Sequence, residues 1–178
     1  MSKEKLIGLL KSAQINEFNE LKESYFDELD FSENDFSQLE LLGANLSGID
    51  FSGCDFSETN LEGVNFTNSS LVAADFARAS LTEVSFADTE LVGTKFNNCF
   101  LKLCDFTDAD LSGADFSEAD LSDSDLTLSQ NISGCKYDKD TIWPDADKLP
   151  YDFEPSYESD LAHLEDSEEE ETSEDYIY

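Results

Sequence analysis

Positive charge is what this chain most lacks. Ten Lys and Arg residues stand against 42 Asp and Glu, a net charge of −32 over 178 residues. Duplex nucleic acid is held by Lys and Arg meeting phosphate, so it is not an expected ligand. An anionic membrane surface is disfavoured for the same reason, and no apolar run approaches the roughly 20 residues of a membrane span. Histidine occurs once, as His163, inside a strongly acidic segment. No phosphate loop, CxxC pair or nucleophile motif is present. Catalysis and cofactors are therefore not expected. Also missing are a sustained helical period of 3.6 and a strand period of 2 through the middle of the chain.

A period of five takes their place. Leu or Phe stands at every fifth residue from Phe26 to Leu126, twenty-one times in succession. A fixed short period marks a repeat architecture, in which stacked units bury what one unit cannot. Two residues before each Leu or Phe the side chain is usually small, as at Ala44, Cys54, Ala74, Ala109 and Ala114. One residue before, it is usually Asp or Asn, as at Asp50, Asp55, Asn60, Asn65, Asp105 and Asp115. Ser or Thr follows, then often Gly or an acid, as in Leu46-Ser47-Gly48 and Phe116-Ser117-Glu118. Sorted at a period of twenty, Phe36, Phe56, Phe76, Phe96 and Phe116 form one column, and Leu41, Leu61, Leu81, Leu101 and Leu121 the next. Segregation at twenty is what a four-sided coil requires, since identical side chains can then stack at about 4.8 Å.

Segments such as Ala109-Asp110-Leu111-Ser112-Gly113-Ala114-Asp115-Phe116-Ser117 resemble the pentapeptide-repeat family. The resemblance covers about residues 24–137. It implies an all-β solenoid, a right-handed quadrilateral β-helix with four repeats per coil. Tyr137 to Pro144 is similar to the closing segment of cyanobacterial members. The expected organisation is an N-terminal α-helical cap over 1–23, repeats over 24–137, a C-terminal cap over 138–155 closed by Trp143 and Phe153, and a disordered acidic tail over 156–178. Leu6, Ile7, Leu10, Ile15, Phe18 and Leu21 carry the helical spacing of the first segment. Leu29, Leu39 and Ile49 are bulky at the small position, so the first coils are expected to be wide or distorted. After Leu126 the register slips by one. Ile132, Tyr137 and Ile142 then recur at five, which predicts a bulge and one irregular coil.

Cys54, Cys99, Cys104 and Cys135 all fall at the inward small position, so free, buried thiols are expected. The apolar stretch from Leu6 to Leu10 is short for a signal peptide, and a cytoplasmic compartment is expected. Asp-rich repeats can bind calcium through several oxygens, but the Asp before each apolar residue has a simpler use. It can accept a backbone amide at the corner, and Asn serves equally well there.

Two surfaces remain as candidates. The first is acidic: Asp105, Asp108, Asp110, Asp115, Glu118, Asp120, Asp123 and Asp125 occur with no base among them. Some members of the family are regarded as mimics of DNA that occupy type II topoisomerases, and a rigid anionic rod would attract a basic DNA channel. The second is apolar: Val72 and Val92 share one outward position on adjacent coils, Phe100 replaces the usual Asp, and Leu103 follows it. This favours a non-enzymatic protein-interaction scaffold with an unidentified protein partner, monomeric rather than dimeric. A DNA-mimicking modulator of a protein such as gyrase is the alternative.

Overall fold

The computed structural model describes residues 2–25 and 28–156. The expected repeat centre Phe26, the tail from residue 157 and His163 lie outside the described residues. Two helices, α1 (Lys3–Lys11) and α2 (Ile15–Lys22), precede the coils. Short strands follow: β1 (Leu29–Asp30), β2 (Ile49–Asp50), β3 (Ser80–Thr82) and β4 (Phe100–Lys102). Between and beyond them runs a regular set of parallel bridges which, as far as Asp110 and Gln130, join residues twenty apart: Asp35 to Asp55, Glu40 to Asn60, Asn45 to Asn65, Asp50 to Ser70. A bridge every five residues, repeating at twenty, gives four sides to each coil. Side one carries Phe31, Phe51, Leu71, Leu91 and Leu111. Side two carries the all-Phe column and side three the all-Leu column. Side four carries Leu46, Phe66, Phe86, Phe106 and Leu126.

The pentad Cys54–Glu58 shows why the coil holds. The Cys54 N–H closes a turn on the Phe51 carbonyl at 3.0 Å, and the Asp55 N–H reaches back one coil to the Asn34 carbonyl at 3.0 Å. The Phe56 and Glu58 N–H groups reach forward one coil, to the Asp75 and Ala77 carbonyls at 2.7 and 3.0 Å. Only the Ser57 N–H lacks a backbone acceptor, and the Asp55 carboxylate takes it at 2.8 Å. The residue two after the centre turns the corner in the left-handed region. It is Gly at Gly43, Gly63 and Gly113, but Glu58, Arg78, Leu103 and Glu118 adopt the same positive φ.

The core is a herringbone of rings. Along side two, successive Phe rings stack at 5.0 to 5.3 Å with planes 4 to 15° apart. Phe66, Phe86 and Phe106 stack likewise on the opposite side. The two stacks meet edge to face, as in Phe66 against Phe76 at 5.8 Å and 89°. That geometry suits the ring quadrupole better than a single crowded stack. All of these rings are fully buried.

The helices close on the first coil through side-chain surrogates for backbone. The Asn19 carboxamide accepts from the Asn45 N–H at 2.9 Å and donates to the Gly43 carbonyl at 3.0 Å. It thereby replaces the strand that a preceding coil would have offered. Lys11 lies 5.5 Å over the Phe36 ring. Leu6, Leu10 and Phe18 are wholly buried in the common core. Leu29 and Ile49 point inward and pair with each other, and the twenty-residue register runs through Leu39 unbroken. The expected distortion does not alter the ladder here, because these bulky side chains pack at the end where helical residues fill the core.

At the other end the expected one-residue slip is present. Asp110 bridges Gln130 at twenty, Asp115 bridges Lys136 at twenty-one, and Asn131 absorbs the extra residue with φ +57°. A second extra residue then enters the Asp138–Thr141 turn, where Asp138 N–H donates to Thr141 Oγ1 at 3.0 Å. Asp120 consequently bridges Ile142 at twenty-two. Ile142 was expected on the axis. It stands outward instead, 53% exposed, and Trp143 takes the axial place against Phe116 at 5.9 Å. Tyr137 and Phe153 complete an aromatic lid around Trp143, at 5.4 and 5.1 Å.

Phe76 sits in the middle of the stack, and its replacement by Ala should cost about 3 to 5 kcal/mol through lost burial and a cavity. Phe100→Ala, on the outside, should cost under about 1 kcal/mol. Denaturant unfolding of both variants checks the order. A larger loss at Phe100 contradicts the inside-outside assignment.

Candidate functional site

The acidic residues separate by position into two kinds. Asp105, Asp110, Asp115, Asp120 and Asp125 each accept the N–H of the residue two further on, at 2.9 to 3.1 Å. Ser112, Ser117 and Thr127 add their hydroxyls to the same oxygens at 2.6 to 2.7 Å. These bonds hold Asp110 and Asp125 below the usual carboxylate range, the neighbouring hydroxyl being the largest cause in each case. Asp108 and Glu118 are corner residues at positive φ, and Asp123 is exposed on the outer surface. The eight acids do not share a wall. Asp105 and Asp125 stack on side four, Asp110 lies on side one, Asp115 on side two and Asp120 on side three. A contiguous stretch of sequence winds once around the rod, so its charge forms a girdle.

The apolar candidates divide as well. Val72 and Val92 do align on adjacent coils of side one, and Val92 is 37% exposed. Phe100 and Leu103 lie on side three, half a coil away, and cannot join them in one patch. Phe100 is 45% and Leu103 54% exposed. Here the coil changes character. Ser80–Thr82 and Phe100–Lys102 run as paired three-residue strands where other pentads turn. Neither Ser80 nor Phe100 offers a carboxylate or carboxamide to hold the next amide. Ser70 and Lys95 lack one too and keep the turn, so the missing acceptor permits the extended form without compelling it. Ile142 joins this side on the Phe100–Asp120 ladder. Sequence reasoning missed it because a second insertion shifts it outward. The exposed Leu42 and Leu128 were missed too. The positive charges scatter: Arg78 pairs with Glu58 at 2.8 Å and Lys95 with Asp75 at 3.0 Å, each one coil down on side two.

The inward small position has a chemistry the sequence did not reveal. Most of its thiols and hydroxyls donate to the carbonyl of the apolar residue one coil below, whereas Thr59 donates to Phe56 in its own coil. Cys54 reaches Phe31 at 3.0 Å, Cys99 reaches Phe76 at 2.8 Å and Cys104 reaches Leu81 at 3.4 Å. Ser69, Thr94 and Ser124 do the same at 2.8 to 3.1 Å. At Phe76 and Leu71, whose carbonyls also accept the Ala79 and Ala74 N–H groups, this uses the second lone pair. All four cysteines are free, and burial pushes each thiol up to about 12. Among the described residues no group of three or more His, Cys, Asp or Glu converges in metal-ligating geometry. No helix among them is long and apolar enough to cross a membrane.

A family model of the pentapeptide repeat region matches residues 19–96 and 59–132. The chain belongs to the pentapeptide repeat family. No curated protein matches it. Among solved structures it is similar to the pentapeptide repeat protein Rfr23 of the cyanobacterium Cyanothece 51142. The two share 18% identity over 65% of this chain and 85% of that one, with a TM-score of 0.52. A pentapeptide repeat protein of the Arabidopsis thaliana thylakoid lumen matches at 23% identity over 48% and 67%, TM-score 0.28. QnrB1, a plasmid-mediated fluoroquinolone resistance protein, matches at 20% identity over 64% and 67%, TM-score 0.25. The pentapeptide repeats form a right-handed β-helix. Against the family pattern, Phe100 and Leu103 stand where this chain usually carries Asp or Asn and Gly or an acid.

Two predictions follow from the small polar contacts. Asp110→Ala should destabilise by about 1 to 2 kcal/mol through the unpaired amide of Ser112, and Asp110→Asn by less, since it keeps an acceptor. Because the folded carboxyl is depressed, its ionic contribution is complete above the unfolded value of about 3.9 and fades as pH falls through the folded one. The stability gap between native chain and Asp110→Asn should therefore close on acidification. Thermal unfolding from pH 7 to 3 measures it, and a gap that widens contradicts the assignment. The four thiols should react slowly with a thiol reagent in the native state and fast in denaturant. Half-buried Cys135 should lead, and a fast native reaction at Cys99 or Cys104 contradicts their placement.

Proposed function

We propose that this pentapeptide repeat protein is a non-enzymatic protein-interaction scaffold. In this reading it is a four-sided rod with an N-terminal helical cap, monomeric and cytoplasmic, that engages a protein partner through a side wall. The observation that carries the reading is the pairing of Phe100 and Leu103. Both stand outward with about half their surface in water, at positions this chain usually fills with Asp or Asn and with Gly or an acid. Leu103 also holds φ +53°, a conformation that disfavours a bulky side chain. Neither residue serves the backbone, so a contact role accounts for them best. Four free thiols, three of them buried and Cys135 half-buried, support the cytoplasm. The acidic girdle has a sufficient structural use in five of its eight members, which weakens the DNA-mimic alternative without a partner being named.

Gyrase supercoiling assays separate the readings. The scaffold should leave gyrase untouched at micromolar concentration, and capture from host extract should lose its partner in the Phe100→Ser, Leu103→Ser variant. A DNA mimic should inhibit gyrase, the effect should weaken steeply with salt, and it should survive deletion of residues 156–178. Salt-sensitive inhibition by the tail-deleted rod overturns the proposal.

A further inference from the structure

We propose that the third side, at Phe100, Leu103 and Ile142, docks an amphipathic helix of a partner protein that carries Lys or Arg between its apolar residues; this deepens the scaffold reading and rests on it. The column of outward residues there reads Ser80, Phe100, Asp120, Ile142. Two strand spacings, about 9.6 Å, separate Phe100 from Ile142. Seven residues of α-helix advance about 10.5 Å. A helix lying along the rod axis thus sets apolar residues seven apart on Phe100 and Ile142, and the residue between them over Asp120. Leu103 flanks this line at the corner, one residue beyond Lys102.

Charge selects the occupant. Glu83, Asp120 and Asp123 share this side with the apolar residues, against Lys102, and Lys139, three residues before Ile142, is paired with Asp140 at 3.1 Å. A second copy of a chain at −32 brings more of the same sign. The chain's own segment beyond residue 156 holds ten acids and no Lys or Arg. A basic helix satisfies both the apolar spacing and the carboxylates, and rim carboxylates of this kind speed encounter and fix register.

The test uses the full chain, isotope-labelled for amide NMR, and three acetylated, amidated helical peptides. The first has Leu at every seventh position with Lys at the third and fourth places between. The second replaces Lys by Glu, and the third scrambles the first. The first peptide should shift the amides of residues 80–83, 100–103, 120–123 and 142. Its affinity should fall about tenfold or more in Phe100→Ser, Leu103→Ser and in Ile142→Ser, each checked for an unchanged unfolding midpoint. The acidic peptide should bind at least about tenfold more weakly than the first. Equal binding of the scrambled peptide, shifts spread over all four sides, or no binding at millimolar peptide overturns the proposal. If that happens while host-protein capture survives the Phe100 and Leu103 changes, the scaffold reading stands and only this surface is wrong. Gyrase inhibition instead removes the scaffold reading itself.

Discussion

One hydrogen bond per pentad governs the rest of this molecule. Each five-residue unit presents five backbone N–H groups. The stacking of coils and the corner turn satisfy four of them, as Cys54, Asp55, Phe56 and Glu58 illustrate. The fifth, on the residue after the apolar centre, faces no carbonyl. The side chain just before the centre supplies the acceptor in Asp30, Asp35, Asp50, Asp55, Asp75 and onward to Asp125. Asn45 and Asn65 do it without charge. The need is therefore for an oxygen at a fixed reach, and a large part of the rod's negative charge follows from meeting it with Asp. Anionic character in such a chain is weak evidence of an anionic function.

The same bond explains the position of the acids better than any ligand does. Being tied to the backbone, these carboxylates are held close to the wall and point along it. They ring the rod, since four successive pentads face four directions. What distinguishes one side from another is left to the residue after the centre, to the corner and to the occasional pentad that forgoes the acceptor. Stability, meanwhile, accumulates from neighbouring coils, and the interleaved Phe columns tie opposite sides together so that no coil is independent of the next.

Much of this was legible because the constraint is strictly periodic. Five and twenty both stand in the sequence, and they yield the coil, its four sides, the Phe stack and the inward thiols. The slip after Leu126 was legible as a lost beat. What followed was not: a second inserted residue between Tyr137 and Trp143 costs the ladder nothing visible in sequence, because Ile142 is as apolar as an axial residue should be. That insertion turns Ile142 outward and brings the larger Trp143 ring onto the axis against Phe116 and Phe153. The surface suffered in the same way. Residues adjacent in sequence, such as those from Asp105 to Asp125, look like one patch until winding distributes them. Val72 and Phe100 look like neighbours until half a coil separates them.

A periodic fold leaves an unusually clear remainder. Once the backbone's demands are assigned, the axial Leu and Phe, the small donors beside them, the Asp acceptors and most corner residues are accounted for. Phe100, Leu103 and Ile142 are not. They converge on one side through two unrelated causes, a departure from the pentad at Phe100 and an insertion before Ile142. Leu103 accepts a left-handed backbone for which Gly, used at Gly43 and Gly63 on the same corner, would be easier. A side chain that is exposed, apolar and conformationally disfavoured gains nothing from the folded rod alone. Burying it against another surface is the physical event that gives it a use, and the carboxylates beside it set the sign of charge that surface must carry.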